Sequence, residues 1–307
     1  MKPAWTPPAD SGMTARTIAA NQLTFDLVEA NPKGDRLAVM LHGFPELNFS
    51  WRHQIEALAD AGWRVWAPNQ RGYGGSSKPQ GKAAYDLDHL IADIAALIEA
   101  ARSERSATEV MLVAHDWGGA VAWDYAVRKT LPLDRLIVMN MPHLQTFRAS
   151  LKTSKAQRRR SWYTLFFQLP WLPEWALTRN DAEAIRRAFL DWTSAQENFP
   201  PEVLDTYARA AQRPGAMTAM INWYRAAFAK RNRRRMDART DADWCVDVPT
   251  LLIWGDDDQA LGPETLGGIE RYVPYLTRRH LPGVSHWVQQ DRPEEVNRVM
   301  LDWLAKE

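Results

Sequence analysis

"MLVAHDWGGAVAW", residues 111–123, runs from an apolar, strand-like stretch directly into a helix of small residues, with Asp116 at the bend between them. A carboxylate placed where both flanking elements look buried needs a partner or a task, because an unpaired buried charge is costly. The bend has the form of the G-x-S-x-G turn that lifts a nucleophile above a parallel sheet, with Ala114 for the first glycine and Asp116 for the serine. Gly118 and Gly119 let the helix start close to the strand, and its free backbone N–H groups favour an ionised carboxylate. The plainer reading, Asp116 as an N-cap residue of that helix, stays open on this stretch alone.

Strand and helix signals alternate on either side of the bend. "TARTIAA" and "LTFDLVEA" flank Asn21-Gln22 as a hairpin of half-exposed strands, and "RLAVMLHG" (36–43) reads as a strand covered on both faces. A helix is expected over 51–62, with Ser50 as its cap and Gly62 as its stop, and "WRVWAPN" returns to strand character. Helix 86–101, strand 109–114, helix 118–129 and strand 135–139 continue the pattern, which implies a parallel sheet with helices on both faces. From 141 to about 245 only helical stretches and basic clusters appear, and strands resume at 248–254 and 276–283. An insertion leaving the carboxyl end of a parallel strand would roof the ligand crevice.

Composition narrows the classes. A chain of 307 residues with 46% apolar content carries a sizeable core, and a formal net charge of +1 supplies no general attraction for nucleic acid. The single Cys245 excludes an intramolecular disulfide, and no 18-residue apolar run suggests a membrane span. A cytoplasmic protein with no membrane partner is the expectation; monomer and homodimer are both open. The basic runs "RRR" (158–160) and "KRNRRR" (230–235) read as solvated helix ends or loop surface. "GYGGSS" (72–77) lacks the spacing of a phosphate cradle and reads as a flexible loop; the seven histidines show no metal-ligand spacing.

Two later segments give Asp116 a setting. "LLIWGDDDQALGPE" places Asp258 just beyond a buried strand, and "LPGVSHWVQQD" places His286 in a loop 28 residues later. Acidic or nucleophilic residue, acid, then histidine is the chain order of hydrolytic triads on such sheets. "LHGFPE" (41–46) ends another strand, so the backbone N–H groups of Phe44 and Trp117 are candidates for an oxyanion hole over one carboxylate oxygen of Asp116.

"HGFPE", "RGYGGSSKP", "HDWGG", "GDDD" and "GVSHWVQQDRPEEVN" together resemble the core motifs of soluble epoxide hydrolases of the α/β-hydrolase superfamily, over positions 42–297. The resemblance implies an α/β-hydrolase fold: a mostly parallel eight-stranded sheet flanked by helices, with core segments 1–140 and 246–307 around a helical cap, 141–245. It also implies Asp116 as nucleophile, Asp258 as charge partner, His286 as base, and two cap tyrosines over the nucleophile. "WYTLFFQLP" matches the first at Tyr163 and "INWYRAAF" the second at Tyr224; the first stretch departs from the family where Trp-Leu-Pro-Glu follows its Gln-Leu-Pro start. Independently, Met217, Met220, Ile221, Tyr224 and Phe228 fall on one helical face, which puts the Tyr224 phenol on the buried side, where a purely packing role is also possible.

The chemistry agrees with an aspartate. Serine attacking an epoxide carbon would leave an ether, whereas a carboxylate leaves an alkyl ester whose carbonyl an activated water can attack. The expected reaction is epoxide to vicinal diol, with water as co-substrate, an apolar or aromatic small molecule as substrate, and no cofactor, metal or nucleic acid. A dehalogenase using the same Asp116 and His286, an esterase, or a non-catalytic scaffold are the competing readings.

Overall fold

Asn21 and Gln22 both take positive φ, 45° and 59°, which is the backbone of a two-residue hairpin turn matched to strand twist. They join β1 (Met13–Ala20) to β2 (Leu23–Ala30), the antiparallel margin of the sheet. The structure, a computed structural model, describes residues 4–306. Six further strands follow: β3 (Arg36–Leu41), β4 (Trp63–Pro68), β5 (Glu109–His115), β6 (Arg135–Met139), β7 (Thr250–Gly255) and β8 (Leu276–Leu281). They pair in the order β1-β2-β4-β3-β5-β6-β7-β8, with every contact from β4 to β8 parallel. This is the mostly parallel eight-stranded sheet that the sequence implied.

The continuous apolar strands divide their side chains between two cores by simple alternation. Leu37, Val39, Leu112, Ala114 and Val138 face the helices Leu87–Glu104 and Asp116–Val127, while Ala38, Met40, Met111, Val113 and Ile137 face Arg52–Asp60 and Pro293–Leu304. Between β6 and β7 the described chain is helical, from Leu144–Thr153 to Lys230–Asp237, and contains no strand. Its longest helical segment, Leu172–Leu190, is broken at Arg179–Ala182, where Asn180, Asp181 and Ala182 adopt left-handed backbone.

Four local expectations are corrected. Ser50 is not a helix cap: a 3₁₀ turn, Asn48–Trp51, precedes the helix Arg52–Asp60, and the Ser50 hydroxyl instead shares a 3.1 Å hydrogen bond with Tyr207. Strand β2 is not half-exposed, because pairing on both edges buries it. Its polar positions are satisfied there: Asp26 accepts from the Gly75 N–H and Asn69, and Glu29 from Arg64 and Trp66. The glycine-rich loop at 72–76 is likewise buried rather than free in solvent, since Gly75 passes so close to Asp26 that a Cβ would lie 2.7 Å from its carboxylate oxygen. Phe228 leaves the apolar face it was assigned to; the helix Ala216–Ala227 ends before it, and its ring is exposed.

Candidate active site

Strands β3, β5, β6, β7 and β8 all point their carboxyl ends at one place. The turn after β5 is tight enough to force Asp116 to φ 47°, in the left-handed region that aspartate tolerates better than most residues. It is possible because a Cβ on Gly118 would overlap the Leu41 carbonyl at the end of β3; only glycine allows that approach. On the other side, a Cβ on Gly43 would lie 2.5 Å from Asp116 Oδ1, so both walls of the turn are glycine.

Asp116 does not cap its helix. His115 holds the N-cap position, and the Asp116 carboxylate reaches across to β3, where Oδ1 accepts the Phe44 N–H at 2.8 Å. The Trp117 N–H makes no hydrogen bond to Asp116 among the described residues. The other oxygen, Oδ2, lies 3.6 Å from His286 Nε2, and His286 Nδ1 donates to Asp258 Oδ2 at 2.7 Å. Asp258 is fixed in turn by the N–H groups of Ala260 and Leu261 at 2.7 and 2.8 Å and by the Asn140 amide at 2.7 Å. Burial opposes charge on all three side chains. It is outweighed: His286 holds the Asp116 and Asp258 carboxyls below their ordinary range, and the two carboxylates hold the imidazole well above its own.

Above Asp116 the inserted segment closes an aromatic box. Tyr163 and Tyr224 meet edge to face at 6.0 Å, and Tyr224 contacts Phe44, Trp117 and Phe167 at 5.2, 5.0 and 4.8 Å. Trp192 completes the ring by standing between Tyr163 and His286, about equally far from each at 6.4 and 6.3 Å. Burial, then the nearby negative charges, push both phenols above their usual range, so each keeps its proton at neutral pH.

Beneath the turn lies a second buried charge. Glu46 accepts the Gly43 N–H at 2.8 Å and pairs with His115 at 2.7 Å, while Gln289 and Gln290 donate to its other oxygen. The far nitrogen of His115 bonds the His286 carbonyl at 2.8 Å, so one side chain ties the β3 loop to the histidine loop. His42, also beneath the turn, is held neutral by burial, its pKa lowered to about 4, and accepts the Gln70 N–H.

Comparison with known proteins places this geometry. The α/β-hydrolase fold family matches residues 39–293. The chain is 34% identical to the AB hydrolase superfamily protein YfhM of Bacillus subtilis, over 96% of this chain and 99% of that one. It is 33% identical to epoxide hydrolase A of Mycobacterium tuberculosis, over 95% and 97% respectively. The crystal structure of an epoxide hydrolase of Bacillus megaterium with an inhibitor superposes with a TM-score of 0.84 at 30% identity, covering 94% of this chain and all of that one. The chain belongs to the epoxide hydrolase family of α/β-hydrolases.

Every site residue named from the family motifs converges here, and the structure adds others. Asn140, directly after β6 at φ 39°, bridges β7 and the acid: its amide donates to Asp258, and its carbonyl oxygen accepts the Gly255 N–H at 2.8 Å. An Asn just past an apolar strand is the same signal that marked Asp116 and Asp258. Trp192 had no such signal, being one tryptophan among fifteen. Of the large apolar side chains of the insertion, Phe167 turns into the box, whereas Trp162, Leu169, Trp171 and Trp175 face outward. His143 is structural: it caps the helix Leu144–Thr153 and stacks on Tyr272. Among the described residues no group of three His, Cys, Asp or Glu has metal-binding geometry, and no helix is long and apolar enough to cross a membrane.

Asn140→Gly keeps a residue at ease with the positive φ and removes both bonds. Steps that need an oriented His286 are expected to slow about tenfold, since one hydrogen bond to a charged group is worth about 1.5–3 kcal/mol. Single-turnover kinetics measure this; an unchanged rate would make Asn140 a purely structural bridge.

Proposed function

We propose that this protein hydrolyses epoxides to vicinal diols through a covalent ester on Asp116. The observation that carries the reading is the division of labour between the two oxygens of Asp116: Oδ1 is held by the Phe44 N–H at 2.8 Å, and Oδ2 makes no such bond and lies 3.6 Å from His286 Nε2. Oδ2 attacks a ring carbon in line; the carbon–oxygen bond of the ring breaks, and the opening oxygen takes its proton from a tyrosine. Oδ1 becomes the ester carbonyl oxygen, already in contact with an oxyanion donor. The Trp117 N–H, free at the start of its helix, is the second donor once negative charge develops.

Water then enters between His286 and the ester. His286, oriented by Asp258, removes a proton as the water oxygen attacks Asp116 Cγ; the tetrahedral intermediate collapses, the acyl–oxygen bond breaks, the imidazolium protonates the former Oδ2 as it leaves in the diol, and the second water proton returns to the tyrosinate as the Asp116 carboxylate is restored. The inserted helices act as the cap, and the walls of Phe44, Trp117, Phe167 and Trp192 suit an apolar or aromatic epoxide. Dehalogenation needs N–H donors for the departing halide. Phe44 has none on its side chain, which leaves the Trp117 indole alone, whereas the paired phenols of Tyr163 and Tyr224 suit a departing oxygen that takes a proton.

Single turnover in heavy-oxygen water is the direct test. The label is expected in Asp116 and absent from the first diol formed, because the diol takes the aspartate oxygen. Label entering the first diol and not the protein would mean direct attack by water and would overturn the ester mechanism. For the tyrosines, Tyr163→Phe or Tyr224→Phe alone is expected to slow ring opening about 10²-fold, and the pair together much more, because one donor remains in each single variant. Stopped-flow measurement of ester formation reports this step alone; wild-type speed in the double variant would remove the phenols from the mechanism.

A further inference from the structure

Helix Trp162–Phe166 is apolar on both sides. Tyr163 and, one turn on, Phe167 point into the box, while Trp162, Leu165 and Leu169 occupy the opposite face at 62%, 65% and 44% exposure. A helix apolar all round belongs in a core or in contact with something the fold does not supply. Trp171 and Trp175, more than half exposed, follow directly in the chain, so five of the seven exposed large apolar residues of the described chain lie within fourteen positions. Arg225 donates to the Phe167 and Leu169 carbonyls and pairs with Glu174, which fastens the 167–174 loop to the helix Ala216–Ala227.

The chain carrying these residues is locally basic. From 152 to 179 there are six basic residues (Lys152, Lys155, Arg158, Arg159, Arg160 and Arg179) against a single carboxylate, Glu174, which Arg225 already engages. Lys152, Lys155, Arg158 and Arg159 are exposed, and the Arg179 guanidinium lies 4.7 Å over the Trp175 ring. Arg160 pairs with Glu264. Phe228 and Lys230, both exposed, follow Arg225 by one to two turns. With a net charge of only +1 on the whole chain, this is a local concentration.

We propose that this face docks the protein on an anionic lipid surface, with the tryptophans and leucines in the interface and the arginines and lysines at the headgroups. Exposed tryptophan and leucine bordered by arginine and lysine is the composition that lies in a bilayer interface. A second copy of the chain fits worse, since a two-fold contact would set the same basic cluster against itself. The sequence suggested no membrane partner because it shows no spanning segment; a face assembled from a five-residue helix and a loop leaves no such trace. The docking stands apart from the epoxide reading, although it would deliver apolar substrates beside Tyr163.

Co-sedimentation of the full chain with vesicles tests it. Vesicles of phosphatidylcholine with about 30 mol % phosphatidylglycerol are expected to bind at least about tenfold more protein than phosphatidylcholine alone, with the excess lost in about 0.5 M NaCl. Trp171→Ser/Trp175→Ser and Arg158→Glu/Arg159→Glu are each expected to lower binding at least about tenfold while leaving turnover of a water-soluble epoxide unchanged. No binding, equal binding to both vesicles, or binding unaffected by both double variants overturns the proposal. A dimer in sedimentation equilibrium that the tryptophan substitutions dissociate would assign the face to a second copy instead. Turnover is measured separately, so failure of docking and failure of the catalytic reading are told apart.

Discussion

Asp116→Asn is expected to abolish ester formation and lower turnover by about 10⁴-fold or more, as removal of a covalent nucleophile does elsewhere. Asparagine is the informative replacement. It tolerates the positive φ of this turn, keeps the volume, and still offers its carbonyl oxygen to the Phe44 N–H. The fold therefore survives and the chemistry does not. A second consequence follows from electrostatics: Asp116 is one of the two carboxylates that hold the His286 imidazolium, so its neutralisation should lower the His286 pKa. Titration of the imidazole by NMR in both proteins measures that shift. Undiminished diol formation by the variant would remove Asp116 from the reaction; lost activity with an unmoved His286 titration would mean that the two side chains do not share the space the structure gives them.

Much of this geometry could be read before any coordinates. The alternation around 36–43, 109–115 and 250–255 was legible because strands buried on both faces are continuous apolar runs, and because residues that end them are polar only for cause. Asp116 and Asp258 each follow such a strand, so one rule located both; His286 follows β8, whose Arg278, Arg279 and His280 are exposed, and was placed by chain order and by the family motif. Where a polar residue was buried by partners distant in sequence, the same reasoning failed. The strand Leu23–Ala30 read as half-exposed because the donors that satisfy its Asp26 and Glu29, namely Asn69, Gly75, Arg64 and Trp66, lie about 35 to 50 residues away. Ser50 looked like a cap because a 3₁₀ turn has the spacing of a helix start. The direction of each large apolar side chain in the insertion was also out of reach: Phe167 and Leu169 stand two residues apart, yet one faces the box and the other solvent.

His286→Gln is expected to stop the cycle half-way. Asp116 keeps its Phe44 contact and the tyrosines keep their protons, so alkylation proceeds, while ester hydrolysis loses its base and slows by about 10²- to 10⁴-fold. Intact-protein mass spectrometry after mixing with excess epoxide should then find one epoxide mass added per chain, and an unmodified mass would dismiss His286 from the hydrolytic step. The wild-type pH dependence follows from the same charges. In the free protein, burial opposes the imidazolium, but Asp258 and Asp116 together raise its pKa well above the ordinary value, which favours the imidazolium over the free base. Esterification removes the Asp116 charge. One of the two forces raising the pKa disappears, burial still lowers it, and the imidazole releases its proton at a lower pH than before. Ester decay should accordingly rise with pH and level off below the pH at which His286 titrates in the free protein. A decay rate independent of pH, or one that levels off only at that higher titration, would show that the base is not switched on by the ester it hydrolyses.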